Sequence, residues 1–438
     1  MTGVGRGHGI VAAVVSAIVA TGLAAQQPPV VPQAPLQVTL QEAVRRALDV
    51  QPAVVQARGA VSSAGWQKRA AYGAFLPSVV LNSSAFRQNT ASFVNGFLAS
   101  AGTYQYNSGV TASLDLFTGF SRSGAYRNAD ATEDAADAGL VNQRFQATAT
   151  TAQVFFTALA NEELVRVAQA QVDRAKAELQ TSVNKFQAGA ATRSDTLTAT
   201  VDLGNARLAL LQAQANLATA QANLGRQVGA DQPVRAVPDT AFPSLPDTTT
   251  LRAAALQRAP LVVQAVAQER AADAAATVSR SSYWPTLTAV YSTSSQGLTQ
   301  PWDGFDTNRN LNQLRIGLSW TLFNGFKREQ TVAQNAANLD FAKAQAADAR
   351  RQIDAQLTQQ LAATFTAWAQ IAIAGADVAA ATEAVRVQQE RYRLGAGTLL
   401  DLLTAQANLT QAAVSQVQAR YNYLIARAQL EAIVGHTL

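Results

Sequence analysis

The chain repeats itself once at a constant spacing, and this duplication constrains its fold more than any other feature. Residues 185–199 read KFQAGAATRSDTLTA, and residues 391–405, which lie 206 positions later, read RYRLGAGTLLDLLTA. The same spacing carries LFTGF at 116–120 onto LFNGF at 322–326. An internal repeat of this length predicts two copies of one structural unit, so the elements are assigned per repeat.

The first 25 residues have the pattern of a secretory signal peptide. Arg6 and His8 precede an apolar run at 10–20, and small residues follow before Gln26. This run is too short to span a bilayer, which requires about 20 residues. A buried N-terminal helix is the alternative. No other segment is expected to form a membrane helix, and residues 26–39 are proline-rich and expected to be extended.

The residue inventory excludes several classes of function. The chain has no cysteine, which excludes disulfides, thiol nucleophiles and attachment of a lipid to an N-terminal cysteine. Its two histidines, His8 and His436, cannot form a histidine-based triad or a histidine metal cluster. We therefore expect no cofactor, no metal site and no enzyme activity, although a hydrolase built on carboxylates alone stays open.

Charge does not indicate a nucleic-acid partner. The formal net charge is +5, and the basic residues are scattered along segments of helical pattern. A nucleic-acid interface would concentrate them in one patch.

Each repeat combines long helical patterns with two short alternating segments. The predicted elements of repeat 1, residues 40–229, are a helix at 40–76 that Pro52 is expected to break, strands at 78–92 and 103–117, a long helix at 121–187 and a helix at 193–229. Those of repeat 2, residues 249–438, are a helix at 249–284, strands at 285–296 and 311–323, a long helix at 327–393 and a helix at 399–435. A proline-rich linker at 230–248 separates the repeats.

The alternating segments predict strands with one apolar and one polar face. Leu314, Ile316 and Leu318 alternate with Gln313 and Arg315. In the same way, Asp115 belongs to the polar side of the strand at 103–117. Aromatic residues near the strand ends are typical of a membrane girdle, which favours lipid on the apolar face. Two hairpins packed on a soluble core are the alternative.

The long helices have a sustained seven-residue repeat. In the first, Val165, Val172, Leu179 and Phe186 are spaced by seven, and their counterparts in the second helix are spaced in the same way. This pattern predicts coiled-coil packing rather than a globular core. The shorter helices at 40–76 and 193–229 would together match one long helix, so each repeat supplies two rods of equal length.

Four strands cannot close a barrel around a pore, and an open sheet edge cannot face lipid. Copies of the chain must therefore complete the barrel. Two copies would give a narrow barrel filled by side chains and four would give a wide one. Three copies supply twelve strands and twelve rods with cyclic symmetry, which is the arrangement that we expect.

The order of elements, the F-x-G-F turn after each hairpin and the RYRLGAGTLLDLLTAQ tip at 391–406 resemble the TolC family of outer-membrane efflux proteins. The resemblance covers essentially the whole mature chain. It implies a homotrimeric channel with a twelve-stranded β-barrel in outer-membrane lipid and a helical barrel in the periplasm. It also implies docking on a periplasmic adaptor protein and an inner-membrane transporter.

The resemblance assigns a pore gate to the second repeat. Asp195 and Asp401 each follow a turn glycine by six residues, and we expect both to lie two helical turns above the tip. The family carries its constriction acid at the position of Asp401, and its second acid, one turn further on, falls on Thr404. A ring of three carboxylates would favour cations. The alternative is that Asp401 is only a first-turn acid stabilised by the helix dipole.

The family also holds its tips closed with links between neighbouring hairpins. Tyr392 and Asp195 match one link, a tyrosine bonded to an aspartate. Gly397 and Ser194 stand where the family has an arginine bonded to a threonine, so that link is missing. The residues that are close enough in sequence to replace it are Arg193, Arg391 and Arg393.

The turns themselves are expected to contact the adaptor. Gly189 and Gly395 allow the left-handed conformation that ends a helix. The small residues around them would let another helical hairpin approach closely. The predicted contact set is Gly189, Ala190, Ala191, Gly395, Ala396 and Gly397.

These observations predict a mainly α fold with β strands. With the resemblance, they predict that the protein is a passive exit duct of a tripartite efflux or type I secretion system. The alternative is a soluble periplasmic coiled-coil scaffold without channel activity. The sequence does not choose between drugs, metals and secreted proteins as cargo.

Overall fold

A computed structural model describes residues 36–87, 92–94, 97–99, 104–238, 252, 258–297 and 311–436. The predicted signal peptide at 1–25 and most of the proline-rich segment at 26–39 lie outside these ranges. Parts of the predicted loops at 93–102 and 297–310, and of the linker at 230–248, also lie outside them.

The described residues form a mainly helical fold with some sheet, which confirms the predicted fold class at that level. The helices are α1 (Leu40–Val50), α2 (Pro52–Gly73), α3 (Ser121–Gln187), α4 (Arg193–Val228), α5 (Pro260–Ser279), α6 (Lys327–Arg393) and α7 (Leu399–Val434), with a 3-10 turn at Arg280–Tyr283. The strands are β1 (Leu36–Val38), β2 (Ser78–Arg87), β3 (Ser92–Val94), β4 (Phe97–Ala99), β5 (Tyr104–Phe117), β6 (Val234–Ala236), β7 (Thr286–Gly297) and β8 (Leu311–Ser319).

Two very long helices dominate the molecule. Each of α3 and α6 has 67 residues and no proline, and therefore spans about 100 Å. The 36-residue helices α4 and α7 run back along them. Both returning helices end at a glycine in the left-handed region, Gly229 and Gly435, where a side chain would be strained.

Proline divides the shorter helices, and this corrects two predicted boundaries. Gln51 and Ala259, which precede Pro52 and Pro260, are extended with ψ of 123° and 131°. A residue before proline is driven out of the α region because the proline ring clashes with it. The first helix divides at Gln51, as expected from Pro52, and ends at Gly73 rather than at residue 76. The second helix, predicted to run without a break over 249–284, is described from Pro260.

Each returning helix ends beside one of these breaks. The Gln51 side-chain amide donates to the carbonyl of Gln227 in the last turn of α4 at 2.7 Å. A Cβ added to Gly435, after α7, would lie 2.7 Å from Cδ of Pro260. In both repeats, the end of the returning helix therefore lies beside the proline break. The end of α4 meets the start of α2, and the end of α7 meets the start of α5.

The four longer strands form one antiparallel sheet in the order β2-β5-β7-β8. The central pair, β5 and β7, joins the two repeats, whereas β2 and β8 are the edge strands. The strand predicted at 311–323 ends at Ser319, which pairs with Thr286 at the start of β7, because no described strand continues beyond it. The strand predicted at 78–92 ends at Arg87.

The register gives this sheet one apolar and one polar face. Leu318 pairs with Leu287 on β7, and Ile316 pairs with Ala289, which also pairs with Leu114 on β5. The apolar face continues to the other edge strand, where Val79 pairs with Ala112 of β5. Because partners in a ladder share a face, one apolar surface crosses all four strands.

Two small ribbons were not foreseen. Leu36–Val38, inside the segment predicted to be merely extended, pairs in parallel with Val234–Ala236 inside the predicted linker. Ser92–Val94 pairs with Phe97–Ala99 within the predicted hairpin loop. A run of three paired residues is too short for alternation to reveal.

The largest buried cluster lies where the β1–β6 ribbon covers the middle of α3. It contains Phe155 and Leu224, together with Val38, Val234 and Tyr421, all at most 5% exposed. The ribbon thus fastens both ends of repeat 1 to the long helix.

One expectation about membrane helices is corrected. Among the described residues, α6 contains an 18-residue stretch that is long and apolar enough to cross a membrane by length and composition. That stretch is only 17% buried, and it belongs to a helix of about 100 Å that packs along α5 and α7. Its apolar residues therefore form an uncovered helix face.

Candidate functional site at the hairpin tips

The helical hairpins α3–α4 and α6–α7 end in the same glycine turn. Gly189 and Gly395 have φ of +75° and +77°, as the predicted left-handed turns require. The amide of Ala190 donates to the carbonyl of Lys185 at 2.8 Å, and the amide of Ala396 donates to that of Arg391 at 2.8 Å. These bonds satisfy carbonyls that the end of the helix leaves free.

The predicted adaptor-contact residues lie on these turns. Ala190 and Ala396 are exposed beside their glycines, while Ala191 and Gly397 are half-buried. A Cβ on Gly397 would approach Cβ of Arg391 to 3.2 Å. The tips therefore present a surface of backbone and methyl groups.

Both returning helices start with a capping box. The amide of Thr192 donates to the Asp195 carboxylate at 2.9 Å, and the amide of Asp195 donates to the Thr192 hydroxyl at 3.2 Å. Thr398 and Asp401 make the same pair of bonds at 3.2 and 3.1 Å. A capping box satisfies two backbone donors at the start of a helix.

Asp401 has an additional partner. The Thr398 hydroxyl lies 2.7 Å from its carboxylate. Hydrogen bonds from the Thr398 side chain and backbone hold the pKa of Asp401 below its usual range, with a smaller contribution from the Arg391 charge. Asp401 is exposed and therefore ionised near neutral pH.

The position predicted for these acids is wrong by one turn. Asp195 and Asp401 are the third residues of their helices and not two turns above the tips, because the turn and the cap residue occupy the intervening positions. Their capping role agrees with the alternative of a first-turn acid. The T-x-x-D spacing at 192–195 and 398–401 was the signal that could have identified it.

Neither Thr404 nor Ser194 is placed in a link between the hairpins. The Thr404 hydroxyl donates to the carbonyl of Leu400, one turn earlier in α7, at 2.8 Å. Ser194 is exposed in the first turn of α4.

Tyr392 joins the hairpins through different partners from the predicted one. Its ring is 6% exposed, and its hydroxyl lies 3.3 Å from Oγ of Ser182 on α3, whereas the Asp195 carboxylate is held by Thr192. The predicted Tyr392–Asp195 link is therefore not formed within one copy. Burial raises the pKa of Tyr392, and the nearby carboxylates of Glu178 and Asp195 raise it further.

Lys185 makes the second contact between the hairpins. Its ammonium donates to the backbone carbonyl of Tyr392, near the end of α6, and lies 3.8 Å from the centre of the Tyr392 ring. A cation in this place interacts with the ring face and with a carbonyl at the negative end of the helix. Sequence analysis missed Lys185, because its spacing is that of an ordinary surface lysine.

The three arginines proposed as substitutes make local contacts. Arg391 donates to the carbonyl of Ala396 at 3.4 Å, and Arg393 pairs with Glu390 at 2.9 Å. Arg193 is exposed at the start of α4.

A buried polar stripe on α3 continues from this contact. Arg174, Glu178 and Ser182 are spaced by four residues, and Arg174 donates to the Thr410 hydroxyl of α7 at 3.0 Å. Glu178 is 6% exposed, and burial raises its pKa. The signal for this stripe was three polar residues at helical spacing, whose counterparts 206 positions later are Ala380, Ala384 and Gln388.

The predicted lumen residues share the polar face of the sheet. Asp115 accepts a hydrogen bond from Thr288 of β7 at 3.1 Å. Gln313 and Arg315 pair with Ser292 and Val290 on the same face of β7 and β8, opposite to the apolar surface.

Comparison with solved structures shows that this fold is shared with outer-membrane channels. The channel CmeC of Campylobacter jejuni has a TM-score of 0.79 with 18% identity, over 90% of this chain and 85% of that one. VceC of Vibrio cholerae has a TM-score of 0.78 with 17% identity, over 91% and 96%. The open-state MtrE channel of Neisseria gonorrhoeae has a TM-score of 0.74 with 18% identity, over 91% and 89%.

Sequence comparison identifies the family. The model of the outer membrane efflux protein family matches residues 43–230 and 251–436. The chain therefore belongs to this family, and the TolC-family assignment made from the sequence is confirmed. The family is one of outer-membrane efflux proteins. The efflux protein BepC of Brucella suis biovar 1 (strain 1330) is 26% identical over 275 residues, which are 61% of this chain and 55% of that relative.

The capping boxes predict a specific loss of order at the second tip. In Thr398→Ala the amide of Asp401 loses its acceptor and the carboxylate loses its hydroxyl donor, so amide hydrogen exchange over residues 399–402 should accelerate several-fold at neutral pH. In the wild type, the cap is complete above the usual aspartate pKa and is lost as pH falls through the depressed pKa of Asp401. The same loss should begin at a higher pH in the variant.

Thr404→Ala is the matched control, because it removes a threonine hydroxyl in the same helix without touching the cap. Equal acceleration in the two variants would show that the capping box does not order the tip.

Proposed function

We propose that three copies of this chain form a closed channel that acts as the passive exit duct of a tripartite efflux or type I secretion system. One observation carries the proposal: the sheet and the layer of helices are both open at their two edges. The contacts between the two repeats of one chain show which contacts the edges of neighbouring copies would make.

The outer edges of β2 and β8 are unpaired in the sheet that the described residues form. All described residues of β2 and β8 are exposed, including Leu314, Ile316 and Leu318 at 65–72%. Within the chain, β5 of repeat 1 pairs with β7, the first strand of repeat 2. The equivalent step pairs β8 with β2 of the next copy. Such pairing leaves no free edge in lipid, where an unsatisfied backbone group costs several kcal/mol.

The edge helices are exposed in the same way. Leu159 of α3 is 5% exposed in the buried cluster, whereas its counterpart 206 positions later, Phe365 of α6, is 63% exposed. On the opposite edge, Leu208 and Leu211 of α4 are 67% and 62% exposed. Burial of these side chains against one another would remove apolar surface from water and close the layer of helices.

The turn after each β-hairpin shows the same difference between the repeats: the turn of repeat 1 is covered, and that of repeat 2 is open. Gly119 and Phe120 both have positive φ, and the Phe120 ring meets Trp284 of repeat 2 at 6.2 Å, edge to face. A Cβ on Gly119 would lie 2.7 Å from Cβ of Trp284. The equivalent pair, Gly325 and Phe326, has the same conformation, but nothing lies within 4 Å of a Cβ on Gly325.

The partner of Phe326 follows from the repeat. The proline that opens the first strand of each repeat is Pro77 or Pro285, so Trp284 corresponds to Leu76. Leu76 is 57% exposed. We therefore assign Leu76 of the neighbouring copy as the residue that packs on Phe326.

The number of copies is set by the barrel. Each copy contributes four strands, and the eight strands of two copies would enclose only side chains. Twelve strands from three copies leave an open lumen, lined by the polar face that carries Asp115, Gln313 and Arg315. The apolar face then contacts the outer-membrane lipid, and the helical barrel extends into the periplasm.

The gate lies at the opposite end. Three copies of Asp401 around one axis form a ring of carboxylates that attracts cations and narrows the pore electrostatically. Asp195 occupies the equivalent position on the first hairpin, and Thr404 adds no charge one turn further on. A carboxylate can cap its helix and still face the pore, because the two Thr398 donors occupy only part of its lone pairs.

The partners follow from the family. The glycine turns, with Ala190, Ala191, Ala396 and Gly397, are proposed to receive a periplasmic adaptor protein, which connects the duct to an inner-membrane transporter. The energy for transport comes from that transporter, because the duct has no catalytic role.

The assembly is tested by cross-linking, for which a chain without cysteine is suited. With a short thiol cross-linker, Phe326→Cys combined with Leu76→Cys should link copies into dimers and trimers and no larger species. Phe120→Cys combined with Trp284→Cys should link only within one chain, which makes it the matched control. Copies that stay monomeric in the first pair, while the control cross-links, would contradict the assembly.

The faces of the sheet are tested by a pair of substitutions on β8. Leu318→Arg should prevent outer-membrane assembly, because a cation facing lipid at mid-depth costs about 2–4 kcal/mol. Arg315→Ala should assemble normally and alter conductance. Heat-modifiable mobility of the purified membrane fraction measures assembly, and equal behaviour of the two variants would refute the assignment of the faces.

The gate is tested in planar bilayers. Asp401→Ala should raise single-channel conductance, weaken cation selectivity and abolish block by polyvalent cations from the periplasmic side. Because this variant also loses part of its cap, Thr398→Ala serves as the control: it loosens the same turn but retains the charge. Unchanged selectivity in Asp401→Ala would exclude Asp401 from the gate.

A further inference from the structure

A buried ionisable group lies between the two hairpins at a place that the proposed gate does not use. Glu178 of α3 is 6% exposed, and its Oε1 has no hydrogen-bond partner among the described residues. The Nε atom of Arg174, which lies one turn away on α3, is also buried without a hydrogen-bond partner among the described residues. Unpaired polar atoms in an interface are costly, so this joint is not optimised for permanent closure.

A chain of hydroxyl groups connects Glu178 to the end of α6. The Ser182 hydroxyl bonds to the Glu178 carboxyl and lies 3.3 Å from the hydroxyl of Tyr392. An ionised carboxylate can only accept, so Ser182 donates to it and Tyr392 must donate to Ser182. The ionisation of Glu178 therefore fixes the direction of every bond between the hairpins along this path.

Lys185 completes the contact from the same helix as Glu178. Its ammonium is held by the Tyr392 carbonyl and ring, and its charge partly stabilises ionised Glu178. Lys185 and Ser182 thus hold the two ends of Tyr392, its backbone and its hydroxyl.

The charged stripe is confined to the joint inside one copy. The residues of α6 that correspond to Arg174 and Glu178 are Ala380 and Ala384, both exposed in the single chain. In the proposed assembly, these alanines lie at the junction with the next copy. Two kinds of junction therefore alternate around the ring, and only the junction inside one copy contains Arg174 and Glu178.

We propose that Glu178 is a proton-controlled latch that holds the α3–α4 hairpin against the α6–α7 hairpin and so regulates the opening of the channel. This inference rests on the proposed function. The packed joint favours the uncharged carboxyl, and ionisation drives the hairpins apart because separation gives the carboxylate water.

The surroundings of Glu178 give the sign of the pH dependence. Burial has the largest effect and raises its pKa, Lys185 opposes this, and Asp202 on α4 adds to it. Asp202 is itself half-buried with a raised pKa, and Arg174 lies one turn away on α3. Tyr392 faces the joint from α6, and Thr410 faces it from α7.

A raised pKa means that the packed joint binds the proton more tightly than the open one. The stability that this proton contributes is fully present below the usual glutamate pKa. It is lost as pH rises through the raised value, so acidification closes the latch and mild alkalinity opens it.

The test is single-channel conductance of the full chain in planar bilayers from pH 5 to pH 8. Wild-type conductance should rise with pH. Glu178→Gln mimics the protonated form and should show the low acid conductance throughout, with unchanged ion selectivity, since the side chain is buried away from the lumen. Asp202→Asn should retain the rise and move it to lower pH, because it removes a neighbouring negative charge.

Glu383→Gln is the matched control. Glu383 is an exposed residue of α6 that pairs with Arg386, and its pKa is lowered by that arginine. It should leave the wild-type profile unchanged. A rise with pH that persists in Glu178→Gln, a wild-type conductance that does not change with pH, or a Glu383→Gln profile as flat as that of Glu178→Gln would each overturn the latch. Failure of the wild type to form channels would refute the proposed function instead.

Discussion

The whole structure depends on the need to satisfy backbone hydrogen bonds at the edges of a sheet that is apolar on one face. A four-stranded sheet with that face could lie in lipid only if its two edges met partners. The described residues offer no such partner, since β2 and β8 end the sheet that they form. The exposed residues of the edge helices indicate the same solution, because they lie on the same two sides of the layer. Closure by further copies would pair the strand edges and bury the exposed residues of the edge helices.

The internal duplication explains how one chain can achieve this. Arg122 lies over Phe75 at 5.1 Å, and Arg328 lies over Tyr283 at 4.1 Å, so each repeat makes the same contact within itself. Contacts between repeats, such as that of Phe120 with Trp284, then serve as models for contacts between copies. Where the repeats have diverged, the two junctions differ. The polar stripe of α3 and the alanines of α6 are the clearest case, and they are the reason to place regulation at one junction only.

The sequence predicted best where periodicity was long. Heptads without proline predicted helices at 121–187 and 327–393, and the structure has helices with those bounds. The break at Pro52 was also predicted, whereas the equivalent break at Pro260 and the strands made of three paired residues were missed. At the tips, the family pattern identified Tyr392 and Asp195 but paired them wrongly. The bond actually made depends on the capping box, which holds Asp195, and on Ser182 and Lys185. Which of several nearby donors and acceptors form a bond depends on their distance in the folded structure, and the spacing along the chain does not give that distance.

Electron microscopy of the mature chain purified in detergent tests the central claim most directly. The account predicts a three-fold symmetric tube about 140 Å long, from about 100 Å of helix and about 40 Å of membrane barrel. In a reconstruction, β8 of each copy should pair with β2 of the next, and Phe326 should lie against Leu76 of that copy. A monomeric particle, a compact globule, or a ring in which these strand edges stay unpaired would contradict it.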